Sequence, residues 1–254
     1  MSERALAAAV DAARAAGDIA LKYFHGRFDV TLKPDRSPVT QADREAEAAI
    51  VDVLGRAFPA VGILGEESGE RGATDRRWIV DPIDGTRNFV RGIPIWATLI
   101  ALEEDGEITA GVIHVPPTGE TFTARRGGGA WRNGERIRVS PVDALDRAFL
   151  VHASLAIMKQ VGYLDGLLRL SDATDRQRGF GDYMGYTLVA SGKAEIYAEA
   201  DLKPWDLAPC KILVEEAGGR FTDFDGRPTI YGGTAIATNG RLHDQALAVL
   251  RGAR

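Results

Sequence analysis

Two aspartates three residues apart, Asp81 and Asp84, stand in the run Trp-Ile-Val-Asp-Pro-Ile-Asp-Gly-Thr at 78–86. Ile79 and Val80 predict the end of a buried strand, Pro82 stiffens the turn that follows, and Gly85 releases it. Two carboxylates on a short stiff turn make a poor core and a good site for a hard divalent cation such as Mg2+, which takes oxygen ligands. An ordinary surface turn shares this composition, because Asp, Pro and Gly are common turn residues. The apolar strand before the turn, and Thr86, Asn88 and Phe89 after it, favour the metal site.

Other acids could converge on it. Glu66 and Glu67 end a short strand at 61–64, and Asp43 falls in the first turn of a helix predicted over 40–57 with Thr40 as its N-cap. Asp206 follows Trp205 at the start of a helix predicted over 206–217. Asp43 could serve only the helix dipole and Asp206 only as a cap, so position alone makes neither a ligand. Two divalent ions among such carboxylates suit phosphate-ester hydrolysis, one generating the nucleophile from water and the other steadying the leaving oxygen. That chemistry needs no nucleophilic side chain. Gly-x-Ser-x-Gly is absent, and the 81–84 spacing is one residue too long for the Asp-x-Asp of aspartyl-phosphate enzymes. His25, His114, His152 and His243 are far apart with no metal-binding spacing. The single cysteine, Cys210, sits among apolar residues and reads as core. Gly127-Gly128-Gly129 has no Lys-Ser or Lys-Thr after it and opens no helix, so it predicts a hairpin turn rather than a phosphate loop.

The elements around these residues read as a mixed α/β protein. Residues 3–24 predict an amphipathic helix with Leu6, Val10, Ala13, Ile19, Ala20 and Tyr23 on its apolar stripe. In the helix over 40–57, Ala42, Ala46, Ile50, Val53, Leu54 and Ala57 face inward. An antiparallel meander spans 95–139, with strands at 95–102, 108–115, 121–124 and 137–139. Strands at 149–152, 194–198, 219–223 and 234–238 then alternate with helices at 155–170, 183–191, 206–217 and 240–251, as when helices cover a mixed sheet. An N-terminal half, 1–145, carrying the metal turn and the meander, and a C-terminal half, 146–254, are expected to form one cooperative domain. With 45% hydrophobic and 26% charged residues, net charge −5 and no basic run, the chain does not resemble a nucleic-acid-binding protein. Charges interrupt the Ala-rich N-terminus, so it is no signal peptide, and no apolar run is long enough for a bilayer. A reducing cytoplasm suits one cysteine.

These segments together resemble the inositol monophosphatase superfamily of Mg2+-dependent phosphatases. The resemblance rests on Gly65-Glu66-Glu67, on 78–86, and on Trp205-Asp206-Leu207-Ala208 followed by Glu216-Ala217-Gly218-Gly219, in that order and spacing. It implies a five-layer αβαβα sandwich, a homodimer, and two or three Mg2+ ions per active site. It also implies roles by position. Glu66, Asp81, Asp84, Asp206 and the Ile83 carbonyl would bind metal, and Gly85 and Thr86 would bind phosphate through backbone N–H groups. Thr86 with Asp43 would orient the attacking water, with Glu66 beside them as a catalytic carboxylate. Glu67 would support the ligands, and Lys33 would belong to a loop closing on the metals, whose continuation Ser37-Pro38-Val39-Thr40 is a variant form.

The substrate rests on 178–186, Arg-Gly-Phe-Gly-Asp-Tyr-Met-Gly-Tyr. Where inositol phosphatases place small residues, this chain has Asp182 and Tyr183. A carboxylate and an aromatic ring suit a cationic nitrogen better than a polyol, through a charge-assisted hydrogen bond and cation–π attraction. Asp182 could instead only cap the helix that begins there. This stretch, with Leu188–Gly192 and Ala194-Glu195-Ile196, looks like the histidinol-phosphate phosphatase branch. The expected substrate is therefore L-histidinol phosphate, its amine held by Asp182, Tyr183 and Glu199 beside Asp206. Inositol-1-phosphate or a broad range of sugar phosphates is the alternative. Some superfamily members act through protein or RNA-polymerase contacts, which the acidic charge and full metal set disfavour here.

Overall fold

The computed structural model describes residues 3–24, 26, 30–32 and 38–252. The first half runs α1 (Glu3–Phe24), β1 (Val30–Leu32), β2 (Pro38–Thr40), α2 (Gln41–Ala57), β3 (Gly62–Gly65), β4 (Gly69–Arg71), β5 (Arg76–Asp84), α3 (Thr86–Val90), β6 (Ala97–Glu104), β7 (Glu107–Val115), β8 (Glu120–Arg125), β9 (Gly129–Arg132) and β10 (Glu135–Ile137). The second runs β11 (Phe149–His152), α4 (Leu155–Gln160), α5 (Leu164–Ala173), β12 (Arg176–Gly179), α6 (Tyr183–Ala190), β13 (Ile196–Ala200), α7 (Pro204–Glu216), β14 (Arg220–Thr222), β15 (Thr234–Thr238) and α8 (His243–Arg251).

The expected meander is present and forms most of an eight-stranded sheet in the order β10-β9-β8-β7-β6-β5-β3-β4, with β3 parallel to β5. A second sheet has the order β12-β11-β13-β15-β14, parallel across its first three strands and antiparallel beyond them. Three apolar clusters separate the layers. One joins α1 and α2 to the first sheet, one joins the two sheets through α6 and α7, and one joins the second sheet to α4, α5 and α8. The result is the five-layer αβαβα sandwich. Among the described residues no helix is long and apolar enough to cross a membrane.

Several elements depart from the sequence expectation. The buried face of α1 is Ala5, Ala9, Ala12, Ala13, Ala16, Gly17 and Ala20, and Leu6, Val10 and Ile19 sit half-buried at its margin. Close approach is the reason: a Cβ on Gly17 would lie 2.7 Å from Pro116 and 2.8 Å from His114. On α2, Val53 and Ala57 are only half-buried, while the acids Asp43 and Glu47 join the buried face. The helix expected over 155–170 is two helices, broken at Gly162, whose φ is +83°. The short strands β4 and β12 are fully exposed and lack apolar alternation, so nothing local announced them.

The glycine triplet forms the expected hairpin, and its amides have a specific use. The N–H groups of Gly127 and Gly129 donate to the two carboxylate oxygens of Glu216 at 2.7 and 2.8 Å. The chain's own carboxylate thus occupies this nest and pins the end of α7 to the first sheet. His114 hydrogen-bonds Thr121, and His243 bonds Thr222 and Thr238 through its two ring nitrogens. Both are packed residues. Cys210 is a buried free thiol, and His25 lies outside the described residues.

Candidate metal and phosphate site

Side chains alternate along a regular strand, so residues 81 and 84 would face opposite sides of the sheet. They do not. β5 pairs with β6 as Asp81 with Leu99 and Asp84 with Ala97, three residues against two. The extra residue is a bulge, and bulges re-aim side chains. Pro82 fits there because it has no N–H for the ladder to lose, and its carbonyl accepts from the Thr98 hydroxyl at 2.9 Å. The Ile83 N–H donates to Asp81 Oδ1 at 2.9 Å. Gly85 then takes φ +83°, and a Cβ there would sit 2.9 Å from the Ile95 carbonyl. The Thr86 hydroxyl donates to the Ile83 carbonyl at 3.0 Å.

Asp206 arrives from the second half of the chain. It is the third residue of α7 rather than its N-cap: Lys203 holds the cap position and Pro204 the first turn. Its Oδ2 accepts from the Lys203 N–H at 2.7 Å. Carboxylate oxygens of Asp81, Asp84 and Asp206 lie within 4.8 Å of one another. Glu66 follows β3, donates its N–H to the Val80 carbonyl at 3.2 Å, and lines the same cavity.

Burial holds Asp81 and Asp84 well above the usual carboxylate range, and neighbouring carboxylates add to it: Glu66, Asp84 and Asp206 at Asp81, and Asp182 and Asp206 at Asp84. Burial also pushes Asp206 up to about 7, against the opposing effect of the Lys203 N–H. Among the described residues no lysine or arginine forms an ion pair with any of the three. Buried charge of one sign demands a partner. Three oxygen donors at this separation fit a hard divalent cation.

Asp43 stands behind this turn. Its Oδ2 accepts from the Thr40 N–H at 2.7 Å and the Thr40 hydroxyl at 2.6 Å, completing a capping box. Burial raises it to about 6, against those two bonds. No hydrogen bond joins Asp43 to Thr86 among the described residues, and Asp43 does not line the cavity. Each is bonded locally, Asp43 to Thr40 and Thr86 to Ile83.

Glu67 is half-buried, and its N–H donates to Glu47 Oε2 at 2.8 Å. The Ser68 N–H donates to Glu47 Oε1 at 2.7 Å. Glu47 is the carboxylate that sequence reasoning missed. Its signal was present, since it lies one helical turn after Asp43 on the buried face of α2. A Cβ on Gly65 would fall 2.6 Å from Glu47 Oε1, which explains that glycine. Lys33 and Ser37 lie outside the described residues.

The opposite wall comes from α6 and β13. Asp182 occupies the N-cap position of α6 but makes no side-chain cap bond. Its backbone, φ +58° and ψ −156°, sits where glycine is favoured, a strain of about 1–3 kcal/mol. Its Oδ2 accepts from Asn88 Nδ2 at 2.9 Å. The first amide of α6, the Tyr183 N–H, donates to Asp84 Oδ2 at 2.7 Å. Tyr183 does not supply an aromatic wall, because its ring is buried in the central apolar cluster and does not line the cavity. Tyr186, one turn on, lines it instead, packed edge-on against Tyr197 with centroids 4.6 Å apart. The Tyr197 hydroxyl donates to Glu199 Oε2 at 2.6 Å. Burial pushes Asp182 to about 6, and burial with the Asp182 charge pushes Glu199 to about 8.

Together these residues line one cavity of about 790 Å3. Glu66, Asp81, Asp84, Gly85 and Thr86 form one side, Asp182 and Glu199 another, and Asp206 the base of α7. Asn88, Lys203 and Trp205, not singled out as site residues from sequence, also line it.

The model of the inositol monophosphatase family matches residues 1–253. The chain belongs to the inositol monophosphatase family. A histidinol-phosphatase of Mycobacterium tuberculosis is 46% identical over 233 residues, covering 89% of this chain and 90% of that protein. A histidinol-phosphatase of Streptomyces coelicolor is 44% identical, covering 87% and 86%. The crystal structure of the extragenic suppressor protein suhB from Bartonella henselae superposes with a TM-score of 0.92 at 36% identity, covering 98% of each chain. The metal turn, the Trp-Asp start of α7 and the Glu216 clamp thus lie within a fold shared with other members of the inositol monophosphatase family.

Proposed function

We propose that the protein is a Mg2+-dependent phosphomonoesterase that converts L-histidinol phosphate and water to L-histidinol and phosphate, as a cytoplasmic biosynthetic enzyme. One observation carries the substrate: Asp182, half-buried, and Glu199, buried, share the cavity with the metal-binding acids. An ammonium there gains charge-assisted hydrogen bonds and offsets buried negative charge. A polyol hydroxyl can donate to these carboxylates but brings no positive charge to offset them. The likeness to two histidinol-phosphatases supports the same reading.

Asp81, Asp84, Asp206, Glu66 and the Ile83 carbonyl would hold the cations, two or three in number. Bound there, they supply an acidified water and charge neutralisation at the phosphate. Gly85 and Thr86 present backbone N–H groups to the phosphate oxygens. The Thr86 hydroxyl commits its proton to Ile83, so its lone pairs are free to accept from the attacking water. Asp43 acts from behind, by fixing the start of α2 and the charge around Glu66 and Glu67. Lys33 would close over the cations. Trp205 and Tyr186 give the organic part of the substrate an apolar wall. A homodimer belongs to this reading through the family resemblance, and light scattering tests it.

The deciding experiment compares kcat/KM for histidinol phosphate, inositol-1-phosphate and fructose-1,6-bisphosphate in Mg2+. Histidinol phosphate is expected to lead by at least tenfold. Equal rates on inositol-1-phosphate would refute the substrate.

A further inference from the structure

Two hydrogen bonds tie the phosphate turn to the acid wall. The Tyr183 N–H donates to Asp84 at 2.7 Å, and Asn88 Nδ2 donates to Asp182 Oδ2 at 2.9 Å. The acceptor and the donor on the first half, Asp84 and Asn88, lie within five residues, 84–88, around Gly85 and Thr86. Asp84 takes the first amide of α6, and Asn88 holds the Asp182 carboxylate, which makes no cap bond of its own. A Cβ on Gly85 would lie 3.3 Å from Asp182 Oδ2, so that oxygen lies within about 5 Å of the Gly85 Cα, given one ordinary C–C bond. The carboxylate therefore stands beside the phosphate turn, not at the far end of the cavity. On each acidic side chain one oxygen has a side-chain donor, Asn88 to Asp182 and Tyr197 to Glu199. Asp182 Oδ1 has no donor among the described residues, and Glu199 Oε1 has only the Asp182 N–H at 3.5 Å.

We propose that Asn88 positions Asp182 as a ruler, so that the site selects phosphate monoesters with a primary ammonium on the carbon next to the ester carbon, with or without an imidazole. This rests on the phosphatase reading and on phosphate at Gly85 and Thr86. A phosphate seated there leaves a short span to Asp182, which one intervening carbon fills and a longer arm overshoots. Histidinol phosphate meets the condition, and so does the minimal compound 2-aminoethyl phosphate. Asn88 is a positioning residue in this scheme. It sets where the carboxylate stands and touches no reacting atom.

The test uses the full-length Mg2+-loaded protein and measures phosphate release from histidinol phosphate, 2-aminoethyl phosphate, 3-aminopropyl phosphate and 2-hydroxyethyl phosphate. The expected kcat/KM for 2-aminoethyl phosphate exceeds those for the last two by at least tenfold. In Asn88→Ala that preference should shrink severalfold, chiefly through KM for the amine, whereas a merely structural role would lower all substrates alike. Equal rates on the aminopropyl ester overturn the ruler, and equal rates on the hydroxyethyl ester overturn the amine contact. Hydrolysis of histidinol phosphate with none of the small esters turned over shows that the imidazole is required and also overturns the proposal. No hydrolysis of any compound refutes the phosphatase reading itself.

Discussion

The backbone N–H of Tyr183 donates to Asp84 Oδ2 at 2.7 Å across 99 residues of sequence. One carboxylate thus serves as a candidate metal ligand in the first half and as the cap of α6 in the second. Asp84→Asn separates the two jobs. Its amide oxygen can still accept from Tyr183, but it loses the charge that draws a divalent cation. The metal-free variant is expected to melt no lower than wild type, because a buried like-charge neighbour is gone. Added Mg2+ should then give little further stabilisation, and kcat should fall by roughly two orders of magnitude or more. Calorimetry with and without Mg2+, beside phosphate release, checks both halves of the prediction.

Asp182 carries backbone strain for the sake of its carboxylate. Asp182→Gly removes the Cβ that makes φ +58° costly, while Asp182→Ala keeps it. The glycine variant is expected to be more stable than the alanine variant by on the order of 1 kcal/mol. Both should raise KM for histidinol phosphate far more than for a neutral ester. Urea unfolding ranks the stabilities, and an alanine variant equal to the glycine variant would remove the strain from the account.

Glu47 holds the turn that presents Glu66. Glu47→Ala leaves the half-buried Glu67 and Ser68 N–H groups without their acceptor, at a cost of about 1 kcal/mol or more in all. Glu47→Gln keeps an acceptor and should cost less. Activity should fall in the same order, because Glu66 loses its support. Gly65→Ala should resemble Glu47→Ala, since its Cβ would displace the same carboxylate. Paired stability and kcat measurements on the three variants check the ranking.

The acid cluster also sets a pH dependence. In the folded metal-free protein Asp182, Asp206 and Glu199 are pushed to about 6, 7 and 8, above their values in the unfolded chain. Their contribution to stability is whole below the ordinary carboxylate range and is lost as pH rises through those values. A bound cation reverses this, because it favours the charged forms. The rise in Tm on adding saturating Mg2+ should therefore be larger near pH 8 than near pH 5.5. An equal rise at both would place the cation elsewhere.

Much of the site was legible because its signals are local. Asp, Pro and Gly in sequence mark a stiff turn, Thr40 marks an N-cap with Asp43 in the first turn, and alternation marks the meander. Those signals needed only neighbouring residues. The direction of the Tyr183 ring was not legible, because it depends on how α6 packs between two sheets. Glu47 was passed over because one acid on an amphipathic helix reads as solvent-facing until something beneath it needs an acceptor.

The amino-acid sequence by itself determined the chemistry on offer: hard oxygen donors, no nucleophile, and an acid where a polyol phosphatase has small residues. The tertiary structure alone decided that Asp81 and Asp84 share a side, since only pairing with β6 forces the extra residue of β5 into a bulge. It also decided the role of Asp182. An aspartate before a helix caps it by default. Here Asn88 holds the Asp182 carboxylate away from that role, and the first amide of α6 goes to Asp84, partners almost a hundred positions apart that no local pattern can express.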